Sequence, residues 1–302
     1  VIGALEGISL LTNVTGTPGV LVRQVFPTWN SWERIGYHPL RSLTSAGNSY
    51  GTLIRDGRVY HGLYSSPSGI EKSYAYTTKT TKDQISGILF GLTCAWYLVP
   101  QVRTTVTQIV KDLWNRMQVT GYSLRDHNNE TFGTSAHELD APLILCLDSL
   151  HRAVVVGEGR AVGKRNSWFF HPFWNWVMTR HYNRCVQNTY TYNLNLILAH
   201  SLFLLKSENK CEKGVDQWKN TLYSLVERDG NPHFDLLGTG QLTFASKKNL
   251  EYRINEPYHK GFCWSKDPKD WFDTESDKEG PGIDALLPYW MNRYSGNKYL
   301  RS

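Results

Sequence analysis

Long apolar runs and blocks of like charge are both missing from this sequence. No stretch approaches the roughly 18 uninterrupted apolar residues that a membrane-crossing helix needs, so no membrane span is expected. Lysine and arginine never gather into a block of five or six, and the net charge of +6 over 302 residues reads as a mildly basic surface. No nucleic-acid partner is expected from so dispersed a charge. Cysteine is sparse: Cys94, Cys146, Cys185, Cys211 and Cys263 stand far apart with no Cys-x-x-Cys pair, which argues against a zinc site built from them. Cys94 and Cys146 fall in apolar helical patterns and read as small core residues. The other three lie near segment ends, where one disulfide and a spare thiol are both open. Strand-type alternation is nearly absent, which excludes a Rossmann fold or a β/α barrel. No strict repeat of roughly 34 to 47 residues supports a helical solenoid.

Several catalytic signatures are also missing. There is no Gly-x-Ser-x-Gly elbow and no His-Glu-x-x-His pair, and no cysteine has a suggestive histidine neighbour. Gly157-Glu158-Gly159-Arg160 lacks a preceding strand and a phosphate-loop pattern. No cofactor or metal is expected on these grounds, although scattered loop oxygens leave calcium open.

What is present is aromatic. The chain holds 11 Trp, 17 Tyr and 11 Phe, which serve cores but also offer flat faces to sugars and interfaces. With 40% apolar and 20% charged residues, wholesale disorder is excluded. Two glycosylation sequons occur, Asn13-Val14-Thr15 and Asn129-Glu130-Thr131. Val1 is not a methionine and no basic leader precedes it. Residues 1–13 already read as the middle of a helix, so a mature or shortened chain is expected, its upstream part absent.

The chain is organised around residues 80–117. Ile85, Ile88, Leu89, Leu92, Ala95, Trp96 and Val99 recur at helical spacing, and so do Val102, Val106, Ile109, Val110, Leu113 and Met117. Thr80 or Thr81 caps the first helix and Pro100 opens the second, so the pair is expected to lie antiparallel as a helical hairpin. Further helices are expected over 139–155 (Leu139, Leu143, Leu147 and Leu150 inward), 167–184, 192–206, 214–227 and 283–294. Gly16-Thr17-Pro18-Gly19 stops the first helix, and Arg228-Asp229-Gly230-Asn231-Pro232 is read as another stop. Residues 20–79 lose the helical period and turn aromatic, with one short hairpin at Asp56-Gly57. A second small hairpin is expected over 121–133, and residues 241–282 read as irregular. So long an aromatic stretch is more than a connector.

This layout resembles the six-hairpin glycosidases and their polysaccharide-lyase relatives, whose fold is an (α/α) toroid. The segments that carry the likeness are Gly16-Thr17-Pro18-Gly19, Ser65-Ser66-Pro67-Ser68-Gly69 and the run from Lys82-Asp83-Gln84-Ile85 to Leu92. Asn231-Pro232-His233-Phe234 and Leu287-Pro288-Tyr289-Trp290-Met291 complete them. The resemblance implies one mainly α domain over 1–302: a toroid of helical hairpins, incomplete at its N-terminus, with long aromatic loops and short β-hairpins. It further implies a secreted or cell-surface carbohydrate-active enzyme, a glycoside hydrolase or polysaccharide lyase, with a polysaccharide or glycan as partner. The alternative is a non-catalytic glycan-binding or structural module, with partner subunits in an extracellular assembly.

Toroids of that type hold sugars at the rim where inner helices begin. Hydrolysis there needs two carboxylates roughly 5 to 9.5 Å apart, whereas lyase chemistry needs a base such as His or Tyr and a group that holds the substrate carboxylate. Asp83 is the first catalytic candidate; its plainer reading is a first-turn acid favoured by the helix dipole at ~0.3–1 kcal/mol. His137, Glu138 and Asp140 enter the next core helix and are candidates on the same terms. Trp32, Arg34 and His38 combine a ring, a cation and an imidazole suited to an acidic sugar. Tyr64, Trp174 and His233 are further substrate-binding candidates. So is Asp126, whose plainer duty beside His127 is to make a turn.

Overall fold

A computed structural model of the protein describes residues 2–27, 59–65, 71–78, 80–131, 139, 141–157, 189–205, 212–224, 227–228 and 230–255. Among them, regular structure consists of eight α-helices and one three-stranded sheet, so the protein is mainly helical. The chain groups into two compact units, Val1–Ala161 and Val162–Ser302, each taken by itself below.

In the first unit α1 (Ile2–Asn13) ends where the sequence says it should, with Gly16 and Gly19 in left-handed conformation. The chain then enters the sheet, formed by β1 (Gln24–Pro27), β2 (Val59–Ser65) and β3 (Glu71–Thr77) in the order β1-β3-β2, all antiparallel. The near absence of strands expected over 20–79 is corrected here. Ala75 and Tyr76 are both buried although neighbours on a strand face opposite sides, so β3 is covered on both faces and shows little polar alternation. Val14, Val22 and Tyr76 form a small core against α1, joined by Leu10, Leu11, Val25 and Tyr74. Of the expected hairpin at Asp56-Gly57, only Val59 and Tyr60 lie within the described residues, and they belong to β2.

Next come α2 (Lys82–Leu98) and α3 (Arg103–Val119), separated by a single 3-10 turn, Pro100–Val102. Gln84 fixes the start of α2: its Oε1 accepts from the Thr81 backbone N–H at 3.1 Å and from the Thr80 hydroxyl at 3.0 Å. Its Nε2 donates to the Arg23 carbonyl at 3.0 Å, tying the helix mouth to the residue before β1. Val106, Ile109, Val110, Leu113 and Met117 are buried as their spacing predicts. On α2, Ile85, Leu89, Leu92 and Ala95 are buried while Ile88 and Trp96 are only half-buried.

The expected antiparallel pairing is corrected. The axis turns by 118° between the two helices. Val99 precedes a proline and leaves the helical conformation, and the 3-10 turn then opens the next helix without completing the reversal. Arg103 pins the corner, donating to the Trp96 carbonyl at 3.0 Å with its guanidinium 4.9 Å from the Trp96 ring centre.

The helix expected over 139–155 is α4 (Ala141–His151), followed by a π-turn, Arg152–Val156, that Gly157 ends in left-handed conformation. Leu139, Leu143, Leu147 and Leu150 are all buried. Neither Cys94 nor Cys146 forms a disulfide, and burial pushes the Cys94 thiol up to about 12, which leaves it unreactive.

The second unit contains α5 (Thr189–Leu205), α6 (Glu212–Ser224), α7 (Pro232–Thr239) and α8 (Phe244–Asn255). Every residue from Asn195 to Ala199 is buried, so that turn of α5 is enclosed on all sides. Two expectations are corrected. Asn231-Pro232 does not only stop a helix; it starts one. The Asn231 side chain accepts from the His233 and Phe234 backbone N–H groups at 2.9 and 3.4 Å, with Pro232 in the first turn. The stretch read as irregular from 241 contains α8, opened by Thr243, whose hydroxyl accepts from the Ser246 N–H at 3.2 Å. The helices expected over 167–184 and 283–294 lie outside the described residues.

Candidate functional site

Asp83 occupies the first turn of α2 and is half-buried. Gln84 beside it holds the helix start rigidly against the entry to β1, so the carboxylate sits at a fixed helix mouth. The end of the sheet nearest to it carries the Gln24–Thr77 and Val59–Thr77 pairs, which means that the 28–58 connection re-enters the sheet beside this mouth. That connection carries Trp32, Arg34 and His38, which lie outside the described residues, as do His137, Glu138, Asp140 and Trp174.

Tyr64 is at the opposite end of the sheet. It pairs with Lys72, five residues along β3 from Thr77 and hence about 17 Å away at ordinary strand rise. Its hydroxyl donates to Ser9 Oγ at 3.2 Å, and its ring meets Tyr74 edge to face at 6.4 Å. Burial, then the neighbouring Tyr64, raises the Tyr74 phenol.

Asp126 is buried and engaged in its own turn. Oδ1 accepts from the Asn128 and Glu130 backbone N–H groups, each at 2.9 Å, and the Asp126 carbonyl accepts from Arg116 Nη2 at 2.7 Å. His127 beside it stacks edge to face on Tyr76 at 5.8 Å. Replacing Asp126 by alanine removes the acceptor of two backbone donors that close the turn, and the expected cost is about 1 kcal/mol, read as a lowered urea midpoint.

The bend between α2 and α3 decides which of these groups meet. Each helix has 17 residues and a length of about 25 Å, so a 118° turn leaves the start of α2 roughly 25 Å from the end of α3. Asp126 and Leu139 belong to that far end, since Leu139 N–H donates to the Tyr122 carbonyl at 2.9 Å. Among the described residues, therefore, no second carboxylate candidate accompanies Asp83.

His233 lies in the second unit, in the first turn of α7, and is buried. It belongs to a polar group that local spacing did not announce: His200 on α5, Lys219 and Tyr223 on α6, and Asp235 on α7. Tyr223 donates to Asp235 Oδ1 at 2.7 Å, and Asp235 Oδ2 accepts from the Thr243 N–H at 3.0 Å, so one buried carboxylate joins α6, α7 and the start of α8. The Tyr223 phenol is raised by burial and then by this bond. Burial also lowers His233 to about 4, with His200 adding to the effect. His200 falls to about 4 for the same first reason; its Nδ1, 3.1 Å from the Leu237 carbonyl, opposes the shift and Lys219 reinforces it. Lys219 lies over the Phe203 ring at 3.9 Å. Two neutral imidazoles beside a buried cation are the chemistry of a proton acceptor, but these groups are packed into helix interfaces, and a base must reach its substrate. The arrangement staples three helices.

No protein-family model matches this chain, and neither does any curated protein or solved structure compared with it.

Among the described residues no group of three or more His, Cys, Asp or Glu side chains is placed to hold a metal ion. Nor is any single helix among them long and apolar enough to cross a membrane.

Proposed function

We propose that this chain is a secreted or cell-surface carbohydrate-active enzyme that cleaves a polysaccharide, built on the plan of the (α/α) toroids and using Asp83 as the acid or base at a helix mouth. The observation that carries this reading is the seat of Asp83: a half-buried carboxylate in the first turn of a core helix, held by Gln84 against the strand that leads into the aromatic 28–58 connection. Hydrolysis would need a second carboxylate within roughly 10 Å of Asp83, and Asp126, the other candidate carboxylate among the described residues of this unit, lies too far away to serve. In a lyase reaction Asp83 would act beside groups such as Arg34 and His38, which would hold and deprotonate an acidic sugar.

The test is incubation with a panel of acidic and neutral polysaccharides, reading both new reducing ends and the ultraviolet absorbance of unsaturated sugars. Absorbing product is expected, falling by about 100-fold or more in Asp83→Asn. Full activity in Asp83→Asn would remove the assignment.

One observation favours a second reading, a non-catalytic glycan-binding or structural module: Asp126 Oδ1 and both side-chain oxygens of Asp235 are spent on backbone and tyrosine donors. Retention on immobilised polysaccharide without either product would select it.

A further inference from the structure

The two sequons have very different surroundings. Asn13 is the last residue of α1, and its Nδ2 donates to the Ser9 carbonyl at 2.8 Å and to Thr12 Oγ1 at 3.1 Å. Both amide hydrogens are thus committed to the helix end. Val14, the middle residue of that sequon, is fully buried in the small core, and the Thr15 hydroxyl is closed into its own turn, donating to the Thr17 carbonyl at 3.2 Å and accepting from the Thr17 N–H at 3.1 Å. Joining a sugar to Asn13 Nδ2 removes one hydrogen, breaks one of these bonds and puts a bulky polar chain beside a dry cluster.

Asn129-Glu130-Thr131 has the opposite character. All three residues are exposed at the tip of a tight turn closed by the Arg125–Thr131 bridge. The turn is held by backbone and by Asp126: Asn129 N–H donates to the Asp126 carbonyl at 3.1 Å, and Arg125 Nη1 donates to the Asn129 carbonyl at 3.0 Å. Asn129 adopts a left-handed φ of 65°, which asparagine tolerates. Its side-chain amide makes no hydrogen bond to any described residue, and neither does the Thr131 hydroxyl. The sequon is therefore presented on a rigid tip with its reacting groups uncommitted.

We infer that Asn129 is a site of N-linked glycosylation and that Asn13 is not. In the natural setting this rests on the secreted or cell-surface part of the reading above. The donor is an oligosaccharide on a polyprenyl pyrophosphate, handled by the transferase of the secretory compartment. The Asn129 amide nitrogen bonds to the anomeric carbon as the bond from that carbon to the pyrophosphate oxygen breaks. The pyrophosphate leaves with the electron pair, and a base takes the amide proton. The glycan occupies solvent beyond the turn and disturbs no bond described there.

The full chain, carrying an added secretory leader, is expressed in cultured animal cells, and both medium and lysate are treated with an endoglycosidase that removes N-linked glycans. One downward mobility step is expected, absent in Asn129→Gln and in Thr131→Ala and retained in Asn13→Gln. Absence of any step in both fractions overturns the inference, and so does a step that survives Asn129→Gln. Because the leader enforces entry, neither result depends on sugar cleavage, which the polysaccharide panel judges separately.

Discussion

Gly19→Ala is expected to destabilise the first unit by about 3 kcal/mol, seen as a large fall in the urea midpoint. Two effects combine. Gly19 has a φ of +76°, where any Cβ is strained, and a Cβ built there would collide with the backbone carbonyl of Asp112 on α3. A carbonyl in mid-helix cannot step aside without loosening its own ladder. Gly16 provides the control, since its φ of +74° is nearly the same while nothing lies within 4 Å of its Cβ position. Gly16→Ala should therefore show the conformational strain alone, about 1 kcal/mol. Equal losses in the two variants would mean that the approach to α3 contributes nothing.

The second large effect is acid sensitivity of the second unit. His200 and His233 titrate near 4 in the folded protein and near 6.5 when unfolded. Burial disfavours the charged form, so between pH 6.5 and 4 the unfolded chain binds more protons than the folded one. Stability contributed by the neutral imidazoles is complete above pH 6.5, falls as pH drops through that window, and reaches its full loss near pH 4. A shift of this size is worth on the order of 3 kcal/mol per histidine, with the two coupled because each lies in the other's field. Buried Lys219 sharpens the effect, since it meets any proton placed on His200 with like charge. Urea unfolding followed by circular dichroism should give a lower midpoint at pH 5 than at pH 7, and the difference should shrink in His233→Gln. A midpoint that does not move between those pH values would contradict this account.

The parts of the fold that could be read in advance are those where local period and burial agree. On α3 the apolar residues recur on one face, and that face is the buried one; α4 was legible as a nearly continuous apolar run that is buried almost all round. The sheet was hidden because β3 buries Ala75 and Tyr76 on opposite faces, so polar alternation was weak. Helix α8 was hidden because Ser246 and Leu250 are its buried positions among the described residues, too few to draw a stripe. Asn231-Pro232 was ambiguous by chemistry: the residues that forbid a helix from continuing are those that best begin another. At the candidate site, the helix-start position of Asp83 was legible from Thr81, Gln84 and the apolar run after them. The grouping of His200, Lys219, Tyr223 and Asp235 was not, because it arises from helices packing across long sequence separations.

Gln84 gives the first unit a mechanical property. A single carboxamide is shared by the opening turn of α2 and the entrance to β1, so neither can fray alone. Amide hydrogens on both sides of that link should exchange with a common opening free energy. Cutting it with Gln84→Ala would uncouple them, letting the strand entrance open while the body of α2 stays closed.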